Sequence, residues 1–496
     1  MTSWPEKPLI YEINTWIWLN TLTRQYNWPV TLENVPDRVL DEIAALGVDA
    51  VWLMGVWMRS AAAQVSARKY AGEYKAALPD LTMDDIIGSP YAIGAYLVDE
   101  NLGGRHGLAL FRRRLAERGI KLLLDYVPNH IASDHAWIRI HPEYLVLGTP
   151  QDLRKRPDTF FGGHDATGQM IVVAHGRDPH FPGWIDTAQV NVFNLAARRA
   201  VLTTLLDIAS QCDGVRCDMA MLLLNDVFEK TWQAYVSAPP DSDFWPEIIP
   251  RVKAQFPDFL FVGEVYWDLE HTMQEQGFDY TYDKRLYDRI MDNNIKEIHQ
   301  HLLAPLDFQK RMVRFIENHD EQRATEVLGL EHVVPAATLV CTLPGATLLH
   351  DGQWSGRRVK LPVQIGRQPH EPPNTQLEAF YRKLLQETRD PIYQKGEWGL
   401  FNPAPGKKNG THENLLAYGW RGGETDYRLI VVNLTDEPSQ AHIDLEDWEG
   451  IAGHNWELHD VLDGVSYLRK GDQMDDLGLY VDLTPYKSHI FRFVRV

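Results

Sequence analysis

Four short apolar runs along the middle of the chain each finish in polar chemistry. They are KLLLDYVPNH (Lys121–His130), GVRCD (Gly214–Asp218), FLFVGE (Phe259–Glu264) and MVRFIENHD (Met312–Asp320). Short apolar runs bounded by turn residues read as strands buried on both faces. A chain that ends several such strands in acids, an Arg, an Asn and two His is expected to gather them at one mouth of a closed parallel barrel.

The first two-thirds of the sequence supports that geometry, because strand signals alternate with helix signals. Leu9–Asn14 is read as the first strand and Ala50–Leu53 as the second. Between them runs a helix over Pro36–Leu46, with Val39, Ile43 and Leu46 on one face and Gly47 as its stop. A helix over Leu108–Arg118, ended by Gly119, precedes the third strand, Lys121–Val127. From Pro128 to about Asp186 the rhythm breaks, and Pro, Gly, His and Asp dominate; a connection this long is a functional loop or a small subdomain. Asn194 is the expected N-cap of a helix over Leu195–Ser210. Strands four to eight are read at Gly214–Cys217, Phe259–Val262, Asp279–Tyr282, Val313–Ile316 and Ala346–Leu349. The expected fold is an α/β (β/α)8 barrel with a long insertion after strand three. Beyond about residue 395, short strands such as YRLIVVNL and HIFRFV separated by Gly, Asp and Pro predict an all-β sandwich. The domains are therefore placed at 1–127 and 187–394 (catalytic barrel), 128–186 (insertion) and 395–496 (carboxyl-terminal β domain).

Composition narrows the function classes. A hydrophobic content of 44% and a charged content of 24% are those of a globular chain. A net charge of −19 argues against nucleic acid and against an anionic membrane surface as partners. Three cysteines, Cys212, Cys217 and Cys341, do not make a disulfide framework, and MTSWPEKPLI does not read as a signal segment, so a cytoplasmic enzyme with free thiols is expected. The most apolar stretch, Val333–Leu349, contains Pro335, Pro344 and Gly345 and reads as core rather than a membrane span. Sixteen Trp and twenty Tyr point mostly to a large core, with some as stacking surfaces for the C–H faces of sugars.

Cleaving an acetal needs an acid for the departing oxygen and a carboxylate on the other side of the sugar. Asp218 and Glu264, just beyond strands four and five, fit that requirement. Arg216 lies two residues before Asp218 and shares its side of the strand, so it is expected to lower the Asp218 pKa and mark it as nucleophile. Val262, Val265, Tyr266 and Trp267 flank Glu264 and are expected to keep it protonated as the acid. Asp320 would be a third carboxylate, positioning sugar hydroxyls. His130 and His319 read as hydrogen bonders to sugar hydroxyls rather than zinc ligands, since the chain has neither a helix-spaced His pair nor Cys–His spacing. Tyr91 is read either as a ring stacked on the sugar or as a packing residue. Cys217 alternates away from the mouth into the core.

Together these segments resemble the α-amylase family of glycoside hydrolases. DYVPNH is similar to the family's first conserved stretch (Asp125, Asn129, His130) and GVRCD to its second (Arg216, Asp218). FVGEV is similar to the third (Glu264) and FIENHD to the fourth (His319, Asp320), while Tyr91 falls where the family has a stacking tyrosine. The resemblance implies Asp218 as nucleophile, Glu264 as acid/base, and Asp125, Tyr91, His130, Arg216 and His319 around the sugar. It implies no required cofactor and allows a calcium ion at Asn129. One departure stands out: the family's Lys-His after the nucleophile is replaced by Met221 and Leu222, in the apolar run MAMLLL.

The resulting expectation is a retaining α-glucoside hydrolase working through a covalent glycosyl-enzyme intermediate. Its substrate is expected to be a small or unusual α-glucoside rather than long starch. The rivals are a transglycosylase, an isomerase of trehalose-synthase type or a glucoside phosphorylase on the same fold, and, from another class, a non-catalytic carbohydrate-binding protein. The expected partner is a small-molecule carbohydrate; the oligomeric state is left open.

Overall fold

The computed structural model describes residues 4–406, 410–423 and 425–496. Eight strands, β1 (Leu9–Asn14), β2 (Ala50–Met54), β3 (Lys121–Tyr126), β4 (Gly214–Cys217), β5 (Leu260–Gly263), β6 (Tyr280–Tyr282), β7 (Met312–Arg314) and β8 (Ala346–His350), close into a barrel in chain order. Every pairing around the ring is parallel. The strands read as unbroken apolar runs because both faces are covered. Ile10, Trp52, Leu123, Leu260, Val262 and Leu348 fill the interior, while the alternate residues Tyr11, Val51, Leu122, Leu124, Phe261 and Leu349 pack outward in a second cluster with the helices. Gly214 is required in the inner layer: a Cβ there would lie 2.7 Å from both Leu123 and Leu260 side chains.

Helices cover the outside. Asp37–Ala45 buries Val39, Leu40 and Ile43, with Pro36 at its N-cap rather than in its first turn. Leu195–Gln211 starts under Asn194, whose side chain accepts from the Ala196 and Ala197 N–H groups. The helix expected from Leu108 begins earlier, at Gly104, because Gly103 and Gly104 lead into it with left-handed backbones instead of breaking it. Strand β5 lies one residue later than expected, and β7 starts and ends earlier. Among the described residues, no helix is long and apolar enough to cross a membrane. The apolar Val333–Leu349 stretch is a buried helix, Gly329–Thr342, followed by β8.

The stretch after β3, read from sequence as a functional loop or small subdomain that breaks the strand–helix rhythm, contains two antiparallel pairs. His130–Ala132 pairs with Thr187–Gln189, and Phe160–His164 pairs with Met170–Ala174. The second is a tight hairpin in which Asp165 accepts from the Thr167 N–H and Gly168 takes a positive φ. A further excursion after β2 carries a small pair, Trp57–Arg59 with Ile93–Val98, beside Tyr91.

The carboxyl-terminal part is all-β apart from short helices. Six strands, in the order Glu397–Phe401, Leu415–Arg421, Tyr427–Asn433, Ser488–Arg495, Asn455–Asp460, Ser466–Lys470, face a three-stranded sheet. The central strands of the six-stranded sheet are covered on both sides. Leu415, Ala417, Leu429 and Val431 pack against Ile443, Leu479 and Val481 of the smaller sheet, whereas Leu416, Tyr418, Ile430 and Val432 join the barrel-side core. Tyr418 hydroxyl and Trp420 Nε1 both bond Thr342 of the barrel helix, at 2.6 and 2.8 Å.

Candidate active site

Strand register decides which side chains meet at the barrel mouth. Arg216 lies opposite Asp125 across β4 and β3, and Glu12 lies between Trp52 and His350 across β2, β1 and β8. Each of these follows an inward apolar or glycine residue by two positions, so the inner face turns polar at the C-terminal ends of the strands.

Arg216 is the hub. Its Nη1 donates to Asp218 Oδ1 at 2.8 Å, and its Nη2 stands 2.7 Å from Glu264 Oε2. The rings of Trp52, Tyr91 and Tyr282 surround the guanidinium at 5.4, 5.3 and 5.8 Å. Since one guanidinium touches both carboxylates, their nearest oxygens fall inside the ~9.5 Å limit for paired carboxylates acting across one glycosidic bond.

The electrostatic expectation for Asp218 is corrected by its burial. Desolvation pushes its carboxyl up to about 7, aided by the nearby Glu264 charge, and Arg216 only partly opposes this. Sequence reveals the arginine but not the depth at which both groups lie. The expected apolar pocket around Glu264 is also absent. Side chains next to it in sequence alternate away: Val265 faces the outer core and Trp267 is exposed. Donors surround the carboxylate instead. Oε2 accepts the Met219 N–H and Oε1 the Tyr266 hydroxyl, each at 2.7 Å. Met219 reaches Glu264 because its backbone is left-handed (φ 42°, ψ 48°), a conformation that costs a non-glycine residue about 1–3 kcal/mol and clusters at functional sites.

On the β7 side, His319 is clamped between two acids. Its Nδ1 lies 2.5 Å from Glu12 Oε1, and its Nε2 lies 3.0 Å from Asp320 Oδ2 and 2.6 Å from the Tyr91 hydroxyl. Burial would lower its pKa, but Asp320 and Glu12 outweigh burial and hold it well above the usual imidazole range. Asp320 remains open to the cleft, with its side chain 46% exposed. Burial of its inner side would raise its pKa, but His319, Arg216 and Lys360 together bring it below the usual carboxylate range. Tyr91 stacks on His319 at 23° and lies over Arg216, so its ring forms part of the wall beside these groups.

Asp125 is buried, accepts from the Gly55 N–H at 3.0 Å and stands 3.8 Å from Arg216. Burial pushes its carboxyl up to about 6. His130 is buried against Trp184, with ring centroids 5.0 Å apart, and desolvation brings it down to about 4, so it is neutral. Asn129 does not fit the calcium allowed from sequence. Its main-chain and side-chain oxygens already accept the same Gln189 Nε2, at 2.7 and 2.9 Å, and Val190 O accepts it at 3.2 Å. The amide thus occupies the oxygens a cation would use. Among the described residues, the group of three His and acidic ligands close enough to share a metal is Asp460, Asp463 and His489, in the carboxyl-terminal part. Its atoms are engaged: His489 bonds Asp460, and Lys487 bonds Asp463.

Met221 and Leu222, at the positions of the family's Lys-His, lie in the core. They are buried with Ala220, Leu223 and Leu224, and Ala220 O accepts from Trp245 Nε1 at 2.9 Å. The apolar run after Asp218 is core beneath the cleft, not its lining. Cys217, Cys212 and Cys341 are free and buried. Burial pushes the Cys217 thiol far above its ordinary value.

The structure therefore brings Tyr91, Asp125, Arg216, Asp218, Glu264, His319 and Asp320 around one mouth, with Asn129 and His130 at its edge. Glu12, Trp52, Tyr282, Gln189 and the Met219 N–H stand outside the sequence expectations, and Tyr266, expected as an apolar flank of Glu264, instead donates its hydroxyl to it. Glu12 had a usable signal, an acid at an inward position of the apolar strand LIYEIN. Chemically, the cleft combines two carboxylates on one guanidinium with a third carboxylate held by an imidazolium. Such a set can deliver a proton to a leaving oxygen and stabilise a cationic carbon.

Residues 31–170 match the family model described as the alpha-amylase catalytic domain. The alpha-amylase MalA of Haloarcula japonica is 24% identical over 454 residues, covering 88% of this chain and 57% of that protein, so the chain spans little more than half of that relative. Among solved structures, the noncanonic maltogenic alpha-amylase AmyB from Thermotoga neapolitana superposes with a TM-score of 0.69 at 19% identity, covering 99% of both chains. The trehalose-6-phosphate hydrolase of Bacillus licheniformis gives 0.66 at 15% identity, covering 99% of this chain and 100% of its own.

Proposed function

We propose that this chain belongs to the alpha-amylase family of glycoside hydrolases and that it is a retaining α-glucoside hydrolase. The observation that carries the reading is the single Arg216 guanidinium in contact with both Asp218 and Glu264 at the barrel mouth.

In the first step an Asp218 oxygen attacks the anomeric carbon while the bond to the leaving oxygen breaks, and Glu264 gives that oxygen its proton. In the second step water attacks the same carbon, Glu264 takes the water's proton and the ester to Asp218 breaks. Asp218 starts with a raised pKa, and the positive charge developing on the sugar favours its ionised form during attack. Arg216 holds its Oδ1 and fixes the angle of approach. Asp320 and the His319 imidazolium supply an acceptor and a donor for sugar hydroxyls. Tyr91 and His130 line the same sugar, and Asp125 positions Arg216. The preferred substrate is a small or unusual α-glucoside, since nothing polar from the run Met219–Leu224 reaches past the leaving group.

Incubation with maltose, trehalose and sucrose, with and without phosphate, tests the assignment. Free glucose, released first as the α anomer, is the expected product. New disaccharides or glucose 1-phosphate would reassign the intermediate to transfer. Sugar binding without turnover would make the chain a carbohydrate-binding protein.

A further inference from the structure

We infer that the underside of the barrel carries a binding site for a phosphate group, in which Lys7 and Arg389 meet the anion. The site lies at the opposite end of the barrel from Asp218 and Glu264 and stands independently of the hydrolase reading.

The strands themselves place it. Lys7 precedes β1, Asp49 precedes β2 and Thr347 is the second residue of β8, so all three sit at the N-terminal ends of strands that neighbour one another in the ring. With Arg118 and Arg389 they line a cavity of about 370 Å³, a volume suited to a small molecule.

The charges in that cavity are uneven. The whole chain carries −19, yet the cavity presents three cations and one carboxylate. Arg118 is already held by Asp37 and Asp41, at 3.0 and 2.7 Å. Lys7 and Arg389 differ: among the described residues, neither forms an ion pair. A second cavity on the same underside shows the contrast. There Lys253 pairs with Asp279, Lys310 with Glu6, and Arg311 with two carbonyl oxygens.

Lys7 is only 7% exposed. Its Nζ donates to Cys341 O at 2.7 Å and to Thr347 Oγ1 at 3.1 Å, which fixes the ammonium and leaves the third of its protons for a ligand. Burial brings its pKa down to about 8, so it is still cationic at pH 7. Arg389 is exposed and, among the described residues, makes no hydrogen bond. It lies over Gly47, where a Cβ would stand 2.7 Å from its Cδ. Gly47 also turns the chain out of the helix Asp37–Ala45 with a φ of 77°, so the close approach and the turn both require glycine.

A fixed ammonium and an open guanidinium, both without counter-ions, suit phosphate oxygens. Asp49 narrows the choice. Both cations act on its charge, its Oδ2 accepts the Leu9 N–H at 2.8 Å, and its Oδ1 is left for a hydroxyl. A bare phosphate would face that carboxylate. A phosphate monoester of a sugar turns its phosphate to the cations and a hydroxyl to Oδ1, so it is the favoured ligand.

Calorimetric titration of the full chain at constant ionic strength, with glucose 6-phosphate, inorganic phosphate and glucose, tests the site. Glucose 6-phosphate should bind, and inorganic phosphate should bind more weakly. Arg389→Ala should weaken glucose 6-phosphate by about 10- to 100-fold, with partial recovery in Arg389→Lys, and Lys7→Met should cause a similar loss. Should Lys7→Met fail to fold, Arg389→Ala, at a surface position, decides alone. Any binding of glucose belongs to the catalytic mouth and should survive both substitutions. Equal affinity for the two phosphates would uphold the site and give it to the free ion. No binding of either phosphate, binding that Arg389→Ala leaves unchanged, or an equal loss for glucose would overturn it.

Discussion

Glu12 Oε1 lies 2.5 Å from His319 Nδ1, with both groups buried and the other Glu12 oxygen unpaired. An acid from the first strand thereby sets the charge of a histidine near the end of the seventh. His319 also faces Asp320, Tyr91, Asp125 and the edge of Trp52, and Arg216 lies beyond them. Only the acids in that set favour the imidazolium. Its raised pKa is a contribution to stability that is full below about pH 6.5 and is lost as pH rises through the folded value.

Glu12→Gln should therefore lower kcat/KM by about 10- to 100-fold and move the alkaline limb of the pH profile to lower pH. Gln keeps the shape and removes the charge. A variant with reduced activity but an unmoved limb would show Glu12 to be packing alone.

Asp218 supplies the opposite limb. Its carboxyl is pushed up to about 7 by burial, and attack requires the ionised form. The acidic limb of kcat/KM is expected near pH 7, rather than near the ordinary ~3.9 of an aspartate. For an acid, a raised folded pKa is a penalty on the native state, absent below the unfolded value and complete above the folded one. The Tm of Asp218→Asn relative to the unsubstituted protein should therefore rise from pH 5 to pH 8. A difference that stays flat across this interval would contradict the burial argument.

Gln189 makes a statement about calcium. With its amide already on the Asn129 oxygens, chelator should leave Tm unchanged, and added calcium should not raise it. Gln189→Ala strands buried acceptors and should lower stability by about 1–3 kcal/mol in urea unfolding. A chelator-induced fall of several degrees would restore the metal.

Glu387, at the end of the helix Thr375–Glu387, accepts from Arg428 at 2.9 Å and Arg492 at 2.7 Å of the carboxyl-terminal sheet. Arg428→Met leaves that buried carboxylate with only the partly exposed Arg492 and the Tyr393 hydroxyl and should cost about 3–5 kcal/mol. Barrel and sheet should still unfold in one transition, since they share a core. Two resolved transitions in calorimetry would separate them.

Much of this architecture is legible in the sequence for a physical reason. Segments such as LIYEIN and GVRC are unbroken, buried on both faces and bounded by turn residues, so few alternatives compete with a strand. Gly103–Gly104 misleads because glycine both breaks and begins helices, and only the φ values distinguish the two. Phe160–His164 is hidden by its own glycines, since its pairing partner, not its propensity, makes it a strand. In the site, residue types at strand ends are readable, whereas Asp218 depends on a contest between one arginine and the depth of burial around it. Glu12 is announced by its inward place in LIYEIN but its partner His319 is not, and Gln189 acts on Asn129, far away in the chain, with no local pattern to mark it.

The placement of Ser488–Arg495 between Tyr427–Asn433 and Asn455–Asp460 shapes how the chain is made. Both neighbours leave the ribosome earlier and must wait with open hydrogen-bonding edges until 488–495 appears. During that wait the greasy side of Gly329–Thr342 lacks part of its cover as well. A nascent chain stalled or cut before residue 488 would present two sticky strand edges and a bare helix, the profile of a substrate for chaperones and proteases.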